Sequence, residues 1–261
     1  MLGFIFIVFC ACIFRITNLN LIEFKADEAI NLLLAARPIF GHSFLPGATV
    51  SSIGLLNPPL INYLLYPFTL LTTDPKIISM IIGLINAFSI GFFYLIVKKY
   101  YGLFMALTSS LLFSFSPWMI LFSRKIWAQD LLLPFVVILL LSIHKLIIDK
   151  KTKYWFVYTL SSLFLIQLHQ ASIILIAILT IFLIKKTRIS IPYLLGGLIL
   201  GILPMLPYFV YVLNNLWIDP SAFIVNKERF GTIFYSEIFF RPFQILSQGN
   251  FRFILGEDNL T

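Results

Sequence analysis

Charge is what this sequence has least of. Charged residues fill 11% of its 261 positions, where a water-soluble domain carries roughly 25%. With 60% of residues hydrophobic, there are too few polar groups to cover a surface against water. That excludes an ordinary soluble fold and makes lipid part of the solvent. Cysteine is also scarce. Cys10 and Cys12 are the only two, set two positions apart in an apolar run, so on a helix they point in different directions. Neither a disulfide framework nor a zinc motif fits them. No glycine loop is present to cradle a phosphate, and no nucleophile elbow. Internal repeats and low-complexity tracts are absent as well.

What is present is a series of apolar runs near residues 2–16, 77–97, 103–122, 128–148, 155–169, 171–184 and 191–213. A spanning helix needs roughly 17–25 residues, and several runs meet that directly. The expectation is an all-α polytopic membrane protein with about seven transmembrane helices. The fifth and sixth runs are short and abut at His169-Gln170, which reads as a helical hairpin with these polar residues at its tip. The first run has no Lys or Arg before it and no clear cleavage site. It reads as an uncleaved helix, not as a signal peptide.

The few charges are sorted. Loops on alternate sides of these seven spans divide the bases unequally. One set holds Lys98, Lys99, Lys145, Lys150, Lys151, Lys153, Lys185, Lys186 and Arg188 against the single acid Asp149. The rest of the chain carries ten bases and ten acids. The whole net charge of +8 therefore falls on one side of the assumed membrane. Positively charged loops stay cytoplasmic, which makes the excess a topology signal and not a nucleic-acid footprint. It puts the N-terminus inside, and puts residues 17–76 and 214–261 outside, on a multi-pass protein of the cell membrane. Residues 1–213 read as one transmembrane module and 214–261 as the start of an incomplete outer region, with further spans expected beyond Thr261.

The outer segment 17–76 contains an amphipathic stretch from Asp27 to Ala36, with Ile30, Leu33 and Leu34 at helical spacing on one face. It also contains Asn57-Pro58-Pro59-Leu60, followed by an apolar run from Ile61 to Leu71 that is too short to span comfortably and has Pro67 inside it. Both stretches read as helices lying at the outer interface, the kind of long external loop on which a site is built.

Four groups of residues are candidates for chemistry, and each has two readings. Asp27-Glu28 opens the amphipathic helix. Acids there cap the helix and complement its dipole; equally, a carboxylate at the membrane surface serves as a general base toward an acceptor hydroxyl or amine. The two are compatible if Glu28 complements the dipole while Asp27 reaches substrate. Asp130, at the outer start of the fourth span, either pairs with Arg124 or Lys125 or faces a polar cavity. Arg124-Lys125 either snorkels to the headgroups beside the interfacial anchors Trp118 and Trp127 or clamps a phosphate. His169-Gln170 is either a hydrogen-bonded interfacial pair or part of a substrate site. His42 and Asp27 have no spacing that supports a shared metal; no cofactor is certain, and a divalent ion is left open.

The order of these features carries a resemblance. An apolar helix precedes Asp27-Glu28; Asn57-Pro58-Pro59-Leu60 and a short interfacial helix follow. Ser116-Pro117-Trp118 then runs through Ser123-Arg124 to Asp130 at the top of a helix, and Lys98-Lys99-Tyr100-Tyr101-Gly102 closes the second span. This is similar to the GT-C superfamily of membrane glycosyltransferases, in particular the glycosyltransferase family 39 group of protein O-mannosyltransferases and aminoarabinose transferases, over most of residues 1–213. The resemblance implies a polyprenyl- or dolichyl-phosphate sugar as donor and a protein, lipid or glycan acceptor outside the cytoplasm. It implies Asp27 as the base, Asp130 in positioning the acceptor, and Arg124, with Lys125, on the donor phosphate. The position before the proline pair is often His or charged in that group and is Asn57 here, leaving Asn57, His169 and Gln170 as substrate-binding candidates. The family usually has eleven or more spans. A transporter or flippase for a lipid-linked or anionic substrate is the competing reading, as is a noncatalytic truncated homologue. Transporters place polar groups near the midplane, often in repeated halves, whereas here they gather at one rim.

Overall fold

The computed structural model describes residues 1–21, 24–48 and 57–218. The outer segment expected over 214–261 therefore lies outside the described residues from position 219 onward. Every described regular element is helical: α1 (Leu2–Ile16), α2 (Ala26–Ala36), α3 (Leu60–Thr69), α4 (Pro75–Tyr101), α5 (Leu103–Phe115), α6 (Pro117–Leu121), α7 (Leu132–Ile147), α8 (Tyr154–Leu168), α9 (Ser172–Lys186), α10 (Ile191–Ile202) and α11 (Leu206–Ile218). A 3-10 turn over Ala128–Leu131 leads into α7, and another over Leu203–Met205 joins α10 to α11.

Three continuous helical stretches are long and apolar enough to cross a membrane: Pro75–Tyr101, Ala128–Ile147 and Ile191–Asn214. Each of the other expected runs is also helical but shorter. Many large apolar side chains on these helices face outward, where a water-soluble protein would not put them. Ile174, Ile178, Ile191 and Ile199 are each 60% or more exposed, which is tolerable only against lipid.

The ends of α4 follow from local chemistry. The Asp74 carboxylate accepts the Lys76 N–H at 2.8 Å, with Pro75 in the first turn, a position where its missing N–H costs nothing. The other end finishes on Lys98 and Lys99, which suit the negative end of the helix dipole, and on Gly102 at φ 89°, a backbone angle that glycine accepts readily. The third apolar run departs from expectation. It is broken: α5 stops at Phe115, Ser116 is extended, and Pro117 starts the short α6. Proline biases its predecessor away from helix, so the break lies in the Ser116-Pro117 pair itself.

α4 is the central helix, packed on α1, α5 and α7, while α7 packs on α8 and α8 on α10. One apolar cluster joins Ile7, Ala11, Ile90 and Tyr94 of α1 and α4. A second joins Leu139 and Leu146 of α7 to Trp155, Leu165, Ile176 and Leu183 of α8 and α9. His169 and Gln170 occupy the turn between α8 and α9 as the sequence predicts, and Tyr158 Oη ties the two helices through Thr180 Oγ1 at 2.7 Å. α8 and α10 approach each other closely. A Cβ added at Gly197 would collide with the Phe156 carbonyl oxygen, whereas one at Gly196 meets only the Phe156 ring, at 3.2 Å.

That contrast gives a paired test. Gly197→Ala should lower the unfolding free energy in detergent by about 1–3 kcal/mol, because backbone has to move, while Gly196→Ala should cost less because a ring can turn. Equal midpoints for the two variants would disprove the close α8–α10 contact.

Candidate functional site

The amphipathic helix α2 turns the apolar face marked by its spacing away from the protein. Ile30 and Leu33 are exposed, at 43% and 62%, and Leu34 is half-buried. The buried face is Glu28, Asn31, Leu32, Ala35 and Ala36. In lipid the apolar stripe has no need of protein, so the polar residues turn inward to find partners. Apolar packing completes the contact: Leu32 and Ala35 join Leu60, Ile61 and Leu65 of α3, Ile78 and Ile82 of α4, Ile126, Leu131, and Leu168 at the end of α8 in one cluster.

Above that cluster the polar groups meet. Glu28 is 1% exposed. Its Oε2 accepts the Lys25 N–H at 2.9 Å, closing the start of α2, and its Oε1 lies 3.9 Å from Lys125 Nζ. The Lys125 ammonium also sits 4.5 Å from the centre of the Trp127 ring, a favourable cation–π distance. Asn31 Nδ2 donates to the Ile126 carbonyl at 2.9 Å. Asn86, buried midway along α4, donates from Nδ2 to the Asp130 carbonyl at 2.8 Å and toward that of Ser123 at 3.5 Å. Asp130 itself is 1% exposed. Both its carboxylate oxygens are enclosed, and the backbone N–H groups of Trp127 and Lys125 act on them together with the charges of Lys125 and Glu28.

The other sequence-predicted residues divide as follows. Asp27 is exposed at the start of α2, one residue before the buried Glu28. Arg124 is half-buried; its Nη2 donates to Thr17 O at 2.6 Å and its Nη1 to Phe14 O at 3.4 Å, so it closes the end of α1. Burial pushes its guanidinium down from the ordinary value. Asn57 is half-buried before the buried pair Pro58-Pro59, and its carbonyl accepts the Ala48 N–H at 2.8 Å. His169 is exposed and Gln170 half-buried, at the end of α8 whose Leu168 belongs to the shared apolar cluster. The geometry thus brings Glu28, Lys125 and Asp130 together, keeps Asp27 at their rim, and sets His169-Gln170 at the same end of the bundle.

Three participants escaped the sequence reading: Asn31, Asn86 and Arg15. Arg15 is fully buried, its Nη1 donating to Ala11 O at 3.1 Å and Ser114 O at 3.2 Å and its Nη2 to Phe113 O at 3.3 Å. An isolated amide or guanidinium inside an apolar run was the available signal, because such groups are costly in hydrocarbon unless they bond to something. No cluster of three or more His, Cys, Asp or Glu with metal-holding geometry occurs among the described residues.

A buried ion pair is held by mutual need. Removing one partner strands the other, at a cost of about 3–5 kcal/mol. Lys125→Met should therefore destabilise more than the double variant Lys125→Met/Glu28→Gln, with a coupling of about 0.5–3 kcal/mol by unfolding midpoint. Strict additivity would mean the two side chains do not share a site.

A family model described as dolichyl-phosphate-mannose-protein mannosyltransferase matches residues 56–211. The matched stretch holds Asn57, Arg124, Lys125, Asp130, His169 and Gln170 and begins after Asp27 and Glu28. Neither a curated protein nor a solved structure matches the chain.

Proposed function

The chain belongs to the dolichyl-phosphate-mannose-protein mannosyltransferase family, and from that premise we propose that it moves a sugar from a polyprenyl-phosphate carrier to an acceptor outside the cytoplasm. The family implies a membrane glycosyltransferase. The choice of donor, the outer location of the site and the residue roles are our reading. The observation that carries them is the grouping of an exposed acid, Asp27, with the buried set Glu28, Lys125 and Asp130, at the opposite end of α4 from the lysine-rich loops.

In this reading the acceptor hydroxyl oxygen attacks the anomeric carbon of the donor. The bond from that carbon to the phosphate oxygen breaks, and the lipid phosphate leaves with the bonding electron pair. The acceptor proton passes to the Asp27 carboxylate. Asp27 suits the part because it is exposed, and no cation within ion-pair distance competes for it among the described residues. Lys125 and Arg124 supply positive charge for the departing phosphate. With both terminal nitrogens of Arg124 anchored on α1, that charge is fixed in place, and preorganised charge is what stabilises a developing anion. Asp130 and Glu28 orient the lysine and the acceptor. Asn57, His169 and Gln170 contribute at the substrate rim.

The test is release of polyprenyl phosphate from a panel of polyprenyl-phosphate sugars, using membranes that contain the protein. Asp27→Asn should lower release by about 10²–10⁴-fold, the usual weight of a general base, with stability within about 0.5 kcal/mol of wild type, as for an exposed position. Undiminished release in an inserted Asp27→Asn protein would remove the base assignment. No release from any donor by stable wild-type protein would remove the donor class.

A further inference from the structure

One groove in the bundle starts beside that site, at Ile81 and Pro134, and leads away from it. It runs between α4 and α7, encloses about 790 Å³, and is walled by Phe88 and Phe92 on one side and Val137 and Leu141 on the other. Its lining extends along α4 from Ile81 to Lys99, about 27 Å at the helical rise of 1.5 Å per residue. That is long enough for a full acyl chain in a hydrocarbon layer about 30 Å thick. The walls are open to the side, with Phe88 48% and Phe92 55% exposed.

The foot of the groove is charged. Lys99, Tyr100 and Lys145 line it, and all three donate to one oxygen, Asp149 Oδ2: Lys145 at 2.7 Å, Lys99 and Tyr100 at 3.2 Å. The hydrogen bond from Lys145, with help from Lys99, lowers the Asp149 carboxyl to about 2, so it is ionised under ordinary conditions. Two cations against one anion leave an excess positive charge. Each ammonium has three donors, and in this arrangement Lys145 uses one and Lys99 two, the second on Tyr100 Oη at 3.2 Å. Asp149 thus gathers the two lysines at the end of an apolar channel and leaves donors over for a second anion. Lys99 stands thirteen residues beyond Asn86, about 20 Å down α4, at the end that the positive-inside rule assigns to the cytoplasm.

We propose that this groove binds an anionic glycerophospholipid of the cytoplasmic leaflet, with an acyl chain along Phe88, Phe92 and Val137 and the phosphate on Lys99 and Lys145. Basic pockets between membrane helices on that side suit anionic headgroups. The inference goes beyond the transfer reaction and does not depend on it.

The test needs no sugar transfer. Phe92→Trp puts a fluorescent reporter in the groove, and the protein without it gives the background from native tryptophans. Reconstituted in vesicles of phosphatidylcholine with brominated phosphatidylglycerol, or the reverse, the reporter should be quenched with a preference of about fivefold for the anionic lipid, the effect of roughly one net lysine charge. Lys99→Gln/Lys145→Gln should bring the preference to parity, and Lys99→Arg/Lys145→Arg should keep it. Equal quenching by both lipids in the parent overturns the proposal, as does a preference that survives the glutamine pair or is lost in the arginine pair. Displacement by equimolar polyprenyl phosphate would make the groove a channel for the donor's tail, and displacement by millimolar inorganic phosphate would make it a free-phosphate site; either overturns it.

Discussion

The structure depends on how one irregular stretch of backbone is closed. Between Ser116 and Leu131 the chain leaves the long-helix regime, passing through an extended serine, a five-residue helix, a loop and a 3-10 turn. In hydrocarbon an unpaired carbonyl has no water to bond, and each buried one costs about 1–3 kcal/mol. Side chains from three other helices supply the missing donors. Arg15 of α1 takes Phe113 and Ser114 in the last turn of α5, just before the stretch, Asn86 of α4 takes Asp130 and reaches Ser123, and Asn31 of α2 takes Ile126. The stretch returns the service, because its own Arg124 bonds Phe14 and Thr17 at the end of α1. Irregular backbone at membrane depth is possible here because it is wrapped in protein donors.

The candidate site inherits its shape from that repair. Lys125 and Asp130 lie on the irregular stretch, so the donors that fix its carbonyls also fix these side chains. Asn31 and Glu28 are three residues apart on α2, hence on one face. The bond from Asn31 to Ile126 therefore places Glu28 against Lys125 without a separate device. Asp27, one position earlier, turns away by about 100° and stays exposed. One helical step divides an enclosed acid, bound to a cation and to a backbone amide, from an open one. That division suits two carboxylates to different tasks, one structural and one in contact with what arrives from outside.

The helices were legible and the site only partly so, for one physical reason. Lipid makes long apolar runs conspicuous, so each of the seven runs appears as helix, and so does the hairpin turn at His169-Gln170. The same solvent removes the penalty on exposed apolar side chains, so the stripe Ile30, Leu33 and Leu34 marks the outward face of α2, and nothing in it shows which polar residues dock on the other side. The break at Ser116 was hidden because residues on both sides stay apolar; only Pro117 announced it. Arg15 and Asn86 were missed because their partners lie 37 or more residues away along the chain, apart from carbonyls one turn back. No local pattern encodes such a pairing. Arg124 reads as a snorkelling or phosphate-clamping cation, and its bonds to the end of α1 have no counterpart in the local sequence.

The middle and the C-terminal end of α4 show polar groups handled in opposite ways. Around Asn86 they are enclosed, and backbone carbonyls take most of the donors, so their positions are set by the fold before any ligand arrives. At the Lys99 end the charges gather round a single oxygen of Asp149 at the edge of an open apolar groove, where Lys99 is 51% exposed. A network held by backbone is rigid, as a site that must align three partners requires. A network held by long flexible side chains on one carboxylate can exchange that anion for another at little structural cost. The same helix thus carries a fixed polar assembly at its middle and an adaptable one at its C-terminal end, about 20 Å apart, and the chemistry that each can serve follows from what its donors are already bonded to.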